Sequence, residues 1–144
     1  MSAELKNKAL RLLARREHTR AELANKLSGE AGRDEVDAML DRLQQAGLLS
    51  DARFAESLVA ARGARYGAAR LRHDLRVKGV AEEIIAGALP QDAEGEAARA
   101  REVRRRKFGA APADRADYAR QARFLQSRGF AADVIRRVLK EIEE

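Results

Sequence analysis

The stretch LRVKGVAEEII, from Leu75 to Ile85, decides the fold. A basic helix end runs into Gly79, a small apolar residue follows, and an apolar-periodic run resumes at Ala81. A turn of this form joins the two helices of many DNA readers. It leaves open whether the segment from Ala81 reads bases or packs into a core. The turn does not stand alone. Leu71, Leu75, Gly79, Val80, Ile84, Ile85 and Leu89 recur 50 positions later as Gln121, Leu125, Gly129, Phe130, Val134, Ile135 and Leu139, so that GVAEEII faces GFAADVI without a gap. Moving back 48 positions gives a fainter copy, with Leu23, Leu27, Val36 and Leu40 on Leu71, Leu75, Ile84 and Ala88. KFG at Lys107–Gly109 faces RYG at Arg65–Gly67, and the last copy then gains the insertion AAPADRA.

A unit written three times implies a stacked repeat architecture, because a segment of about 45 residues holds little apolar surface and shares it with neighbours. The expected fold is all-α, an elongated array of three tandem three-helix repeats, helix-turn-helix-like, with about nine helices in all. The repeats are expected at 1–50, 51–90 and 91–144. Helices are expected at 3–16, 19–29, 33–46, 51–65, 67–78, 81–89, 92–107, 114–128 and 131–142, with no strand. Thr19 followed by Glu22 is a capping box. Gly47, Gly79 and Gly129 each close a periodic run, and Pro90 and Pro112 fall between runs.

Composition agrees with this. Of 144 residues 45% are hydrophobic but only 4% aromatic, and 36% are charged, which describes a thin aliphatic helical core under much solvated surface. The chain has no cysteine, so disulfides, thiolate catalysis and cysteine-ligated zinc are excluded. No apolar run approaches the roughly 20 residues that span a bilayer, and the amino-terminal run has no signal-peptide block. The expected location is the cytoplasm, away from membranes.

Charge is unevenly spread. Residues 1–52 are neutral, residues 53–79 carry seven bases against two acids, residues 80–96 carry five acids and no base, and residues 97–128 carry ten bases against three acids. The formal net charge is +6. Arg101, Arg104 and Arg105 lie at i, i+3 and i+4 and are expected to share one helix face, as are Arg72 and Arg76. Arg62, Arg65, Arg70, Lys78, Arg106, Lys107, Arg120 and Arg123 thicken the field. These thirteen side chains form the candidate basic face for an anionic partner, nucleic acid or acidic protein.

Catalytic patterns are missing. His18 and His73 have no metal-ligand spacing, no phosphate-binding glycine loop occurs, and the serines have no base-and-orienter set. No catalytic residue, metal or cofactor is expected, and the chain is read as a non-enzyme. Glu82 and Glu83 are read as acids at a helix start, where they complement the macrodipole.

LLSDARFAESLVAARGARYGAARLRHDLRVKG, from Leu48 to Gly79, resembles the signature of the RecX family of recombination regulators. The matching positions are Asp51, Phe54, Ala55, Glu56, Arg62, Gly67, Leu71, Leu75, Gly79 and Val80. RRRKFG with RFLQSRGFAADVIRRVLK resembles the family's carboxy-terminal motif, and ALRLLARREHTRAELANKL its amino-terminal one. Ser50, where a second acid is common, and Leu58, where an aromatic is common, depart from the pattern. The resemblance implies a regulator in DNA repair, recombination and the SOS response. Such a protein binds the RecA–DNA filament and inhibits its extension, strand exchange and ATP hydrolysis. The implied partners are RecA and DNA, the latter bound weakly and without sequence preference, by a monomer. Asp51, Phe54, Ala55, Gly67, Leu71, Leu75, Gly79 and Gly129 are read as structural, with Asp51 capping the helix that Phe54 anchors. The rival readings are a stand-alone helix-turn-helix DNA-binding protein and a repeat-built adaptor for an acidic protein.

Overall fold

The computed structural model describes residues 2–143, and every regular element among them is helical. In chain order these are α1 (Ser2–Arg15), α2 (Arg20–Leu27), α3 (Arg33–Gln45), α4 (Asp51–Arg62), α5 (Ala68–Val77), α6 (Glu82–Ala88), α7 (Ala93–Phe108), α8 (Arg115–Ser127) and α9 (Ala132–Glu143). Each expected helix is present, and its ends differ by three residues at most.

The ends are set by local chemistry. Thr19 Oγ1 accepts from Glu22 N at 3.0 Å while the Glu22 carboxylate accepts from Thr19 N, so both partners of the capping box are in place. Asp92 and Asp114 cap α7 and α8 by accepting from Glu94 N and Asp117 N. At the other ends, Gly79 and Gly129 adopt φ of 83° and 91°, and Val80 and Phe130 donate back to the carbonyls of Leu75 and Leu125. That closure needs a left-handed residue, which glycine adopts without a steric penalty.

One cap departs from expectation. Ser50, not Asp51, caps α4: its Oγ accepts from Arg53 N at 3.1 Å. The Asp51 carboxylate instead accepts from Arg20 N at 2.8 Å, at the first turn of α2. A side chain at the first helical position points back past the helix start, and here it reaches the unpaired donors of another helix.

The chain divides into two compact units, Met1–Ser57 with Leu75–Ala88, and Leu58–Asp74 with Leu89–Glu144. The division falls inside α4 and α5, so the middle repeat is shared between the units. In the first unit Leu5, Ala9, Leu23, Leu27 and the α3 stripe Val36, Met39, Leu40 and Leu43 form the core, with Leu49. In the second unit α9 supplies Val134, Ile135, Val138 and Leu139, while α7 meets them with Ala97 and Ala100. Small residues on α7 let it lie close against the bulky stripe of α9.

Both units repeat one seating. In the first, Thr19 Oγ1 donates to the carbonyl of Lys78 at 2.6 Å, and Lys78 Nζ pairs with Glu22 at 3.2 Å. In the second, Gly67 N donates to the carbonyl of Arg128 at 2.7 Å and Ala69 N to that of Gly129 at 3.2 Å. In each case the glycine corner of one repeat rests on the amino end of the preceding repeat's middle helix, where N–H groups lack intrahelical partners. A Cβ on Gly79 would strike Ala21, one on Gly67 would strike the Gly129 carbonyl, and one on Gly129 would strike the backbone of Arg70. The amino end of α8 has its own arrangement. Ala113 N donates to Asp117, and the Ala110 carbonyl accepts from Arg104 Nη2 and Gln121 Nε2, so the insertion folds back over α7 and α8. A terminal repeat closed by its own loop is common in repeat arrays.

Gly129→Ala is therefore expected to lower unfolding free energy by at least about 1–2 kcal/mol from the positive φ alone. Gly87→Ala, in α6 with no atom near the added methyl, is expected to raise it by about 0.5–1 kcal/mol. Urea unfolding of the two variants measures the contrast.

A second expectation concerns acid. His18 is buried, with Nδ1 3.1 Å from the Arg16 carbonyl and Nε2 3.0 Å from Lys26 Nζ. Burial lowers its pKa below the ordinary 6.5, with the charges of Arg16 and Lys26 acting in the same direction against the bond to the Arg16 carbonyl. Burial would raise the Glu22 carboxyl, but hydrogen bonds and charge from Arg16 and Lys78 outweigh it and hold the group at about 2, below the ordinary 4.5. Each group binds its proton more readily in the unfolded chain, so each contributes stability at neutral pH that acid removes. The loss begins near pH 6.5 for His18 and near pH 4.5 for Glu22. Urea midpoints taken down the pH scale should fall in two stages, and His18→Gln should flatten the upper one.

Candidate anion interface

Formal charge follows the compact units. The first unit carries twelve bases against twelve acids, and the second seventeen against eleven, so the whole net charge of +6 lies in the second. Arg76 and Lys78 of the candidate basic face belong to the neutral unit, where they pair with Glu82 and Glu22. The other eleven belong to the charged unit.

Arg104 does not lie on an exposed face. It is 4% exposed, its Nη2 donates to the Ala110 carbonyl at 2.6 Å, and its Nε is buried without a partner. The i, i+3, i+4 spacing of Arg101, Arg104 and Arg105 does group them on α7. However, the inward stripe of that helix is Ala97, Ala100 and Arg104, and its alanines leave room for an arginine stem.

Several of the remaining arginines share too few acids. Asp74 pairs with both Arg62 and Arg70, and Glu102 with both Arg105 and Arg106, whereas Arg101 and Arg137 have two acids between them, Glu141 and Glu94. Arg120 pairs with Asp117. Hydrogen bonds from Arg105 and Arg106 hold the Glu102 carboxyl at about 2, so it stays ionised at neutral pH and leaves one net positive charge on the trio. Arg65, Arg72, Lys107 and Arg123 have no acid partner among the described residues.

Aromatic rings order several of these cations. Phe108 and Phe124 meet edge to face at 5.4 Å. Lys107 Nζ lies 5.6 Å from the centre of the Phe124 ring, Arg120 lies 4.9 Å over Phe108, and Arg70 5.0 Å over Tyr66. Arg128, absent from the candidate face, lies 5.2 Å from the centre of Tyr66 and 5.1 Å from that of Phe124. A ring quadrupole attracts a cation without neutralising it, so these heads keep their charge for an outside anion. Arg128 stands 50 positions after Lys78, beside Gly129 as Lys78 is beside Gly79, and that repeat register was the sequence signal that could have found it.

Around these groups runs a groove of about 240 Å³. Ala64, Val103 and Phe124 contribute apolar surface to it, and Arg65, Arg106, Lys107 and Arg128 its charge, against one acid, Glu102. No His/Cys/Asp/Glu cluster fit to hold a metal occurs among the described residues, and no described helix is long and apolar enough to cross a membrane. The groove sets four cations against one acid.

Three family models match the chain in order: the RecX first three-helix domain at residues 6–43, the second at 50–89 and the third at 94–139. The chain is 50% identical over 137 residues to Regulatory protein RecX of Leptothrix cholodnii, a match covering 94% of this chain and 87% of that protein. It is 42% identical over 145 residues to Regulatory protein RecX of Herminiimonas arsenicoxydans, covering 100% and 96%. Among solved structures, RecX from Lactobacillus salivarius superposes with a TM-score of 0.86 at 21% identity, covering 99% of this chain and 96% of that one, which speaks to the fold. With its three three-helix domains and these relatives, the chain belongs to the RecX family of regulatory, non-enzymatic proteins.

Proposed function

We propose that this protein binds the RecA–DNA filament in the bacterial cytoplasm and inhibits RecA, limiting filament extension, strand exchange and ATP hydrolysis and so modulating recombinational repair. The observation that carries the reading is the partition of charge: one neutral unit, and one unit holding the entire positive excess on bases that outnumber their acid partners. A filament of protein wound on DNA presents both acidic side chains and phosphates, and a surplus of ordered cations suits either. The bases at issue are Arg62, Arg65, Arg70, Arg72, Arg101, Arg105, Arg106, Lys107, Arg120 and Arg123, with Arg128 added and Arg104 left out.

A sequence-specific helix-turn-helix reader fits less well. The helices after the two glycine corners begin with Glu82 and Glu83 in α6 and Asp133 in α9. Acids there oppose phosphate where a helix start would otherwise welcome it.

RecA ATP hydrolysis and strand exchange, followed while this protein is added, test the proposal. Inhibition at well under one molecule per RecA protomer is expected, and no effect at equimolar protein would contradict it.

A further inference from the structure

We propose that the groove lined by Arg65, Arg106, Lys107 and Arg128 is a binding site for the phosphates of a nucleic-acid backbone. This rests on the reading of the partner as a protein–DNA filament and names the surface that meets its DNA. Three independent features point there. The groove is concave and cationic, with Glu102 its one acid, and that acid is already occupied by Arg105 and Arg106. Arg65, Lys107 and Arg128 make no ion pair among the described residues, although acids are abundant elsewhere on the chain. Lys107 and Arg128 are held over rings, so little side-chain freedom remains to be lost when an anion arrives.

Arg128 is the most firmly placed of the four. Its backbone carbonyl accepts from Gly67 N at 2.7 Å, and its guanidinium lies between Tyr66 and Phe124. The seating of the third repeat's corner and the placing of this cation are therefore one event. A guanidinium offers paired donors that match the two free oxygens of a phosphodiester, whereas Lys107 supplies a point charge. Apolar surface from Ala64, Val103 and Phe124 suits the sugar face of a strand and does little for an acidic peptide.

The test uses the full chain with fluorescein-labelled oligothymidylate, and separately a labelled duplex, by anisotropy over a salt series. Arg65→Ala with Lys107→Ala removes two cations that hold no ion pair, and Arg128→Gln removes the third while leaving the backbone bond intact. Circular dichroism and urea midpoints confirm that each variant is folded. Affinity for the single strand is expected to fall about tenfold or more in the double variant, with the slope of log K against log salt shrinking by about 0.7 for each phosphate no longer neutralised. A similar fall for the duplex extends the site to both forms, and a fall for one alone names which form it takes. Unchanged affinity and slope in both folded variants would overturn the proposal. So would competition by a polyglutamate peptide as strong as that by oligothymidylate at equal charge, since an acidic protein would then be the better occupant. RecA ATP hydrolysis run in parallel separates the two claims: a wild-type chain that binds DNA at this groove but leaves RecA untouched sinks the filament reading alone.

Discussion

The structure depends on one interaction, the seating of a glycine corner on the amino end of the preceding repeat's middle helix. A three-helix unit of this size buries too little apolar surface to stand alone, and its aliphatic core is thin. The corner carbonyls of Lys78 and Arg128 accept from the Thr19 hydroxyl and from the Gly67 N–H, the latter a donor at a helix start with no intrahelical partner. The approach is close enough that Gly129 leaves no room for a side chain at position 67, and Arg70 none for one at position 129. In the second unit backbone thus fits against backbone, and the geometry there has little tolerance for adjustment. The compact units follow from this: each combines a terminal repeat with the part of the middle repeat that it engages.

The proposed anion site is built on the same seating. In the first unit the seated corner carries Lys78, which closes an ion pair with Glu22, an acid it shares with Arg16, and the formal charge of the unit is zero. In the second the seated corner carries Arg128, whose charge is absorbed by no acid among the described residues and is ordered by Tyr66 and Phe124. Equivalent positions of one repeat therefore serve opposite ends, one closing an ion pair and the other presenting a cation.

The helical framework was legible in the sequence because it rests on local chemistry: the Thr19–Glu22 capping box, the glycine stops and the recurrence of GVAEEII as GFAADVI. The turn at Gly79 was also legible as a packing corner, since acids rather than bases follow it. What the sequence hid depends on partners distant in the chain. Asp51 reads as the cap of its own helix, but its carboxylate serves Arg20 at the start of another. Arg104 shares its spacing with Arg101 and Arg105, and only the alanine stripe of α7 turns it inward. Gly67 and Gly109 align as the ends of RYG and KFG yet differ in purpose: Gly109 has φ of 72°, whereas Gly67 is required by the nearness of Gly129. Arg128 aligns with Lys78 in the repeat, but its place between Tyr66 and Phe124 appears only once two separate segments are brought together.

The amide of Gly67 reports on the seating most directly. It precedes the first residue of α5, where an unpaired helix-start N–H exchanges with solvent quickly, but here it donates to the Arg128 carbonyl. Native-state hydrogen exchange followed by NMR should show Gly67 protected nearly as well as the core amides of α9, with protection lost in Gly129→Ala. Rapid exchange of Gly67 in the wild-type chain would contradict the account.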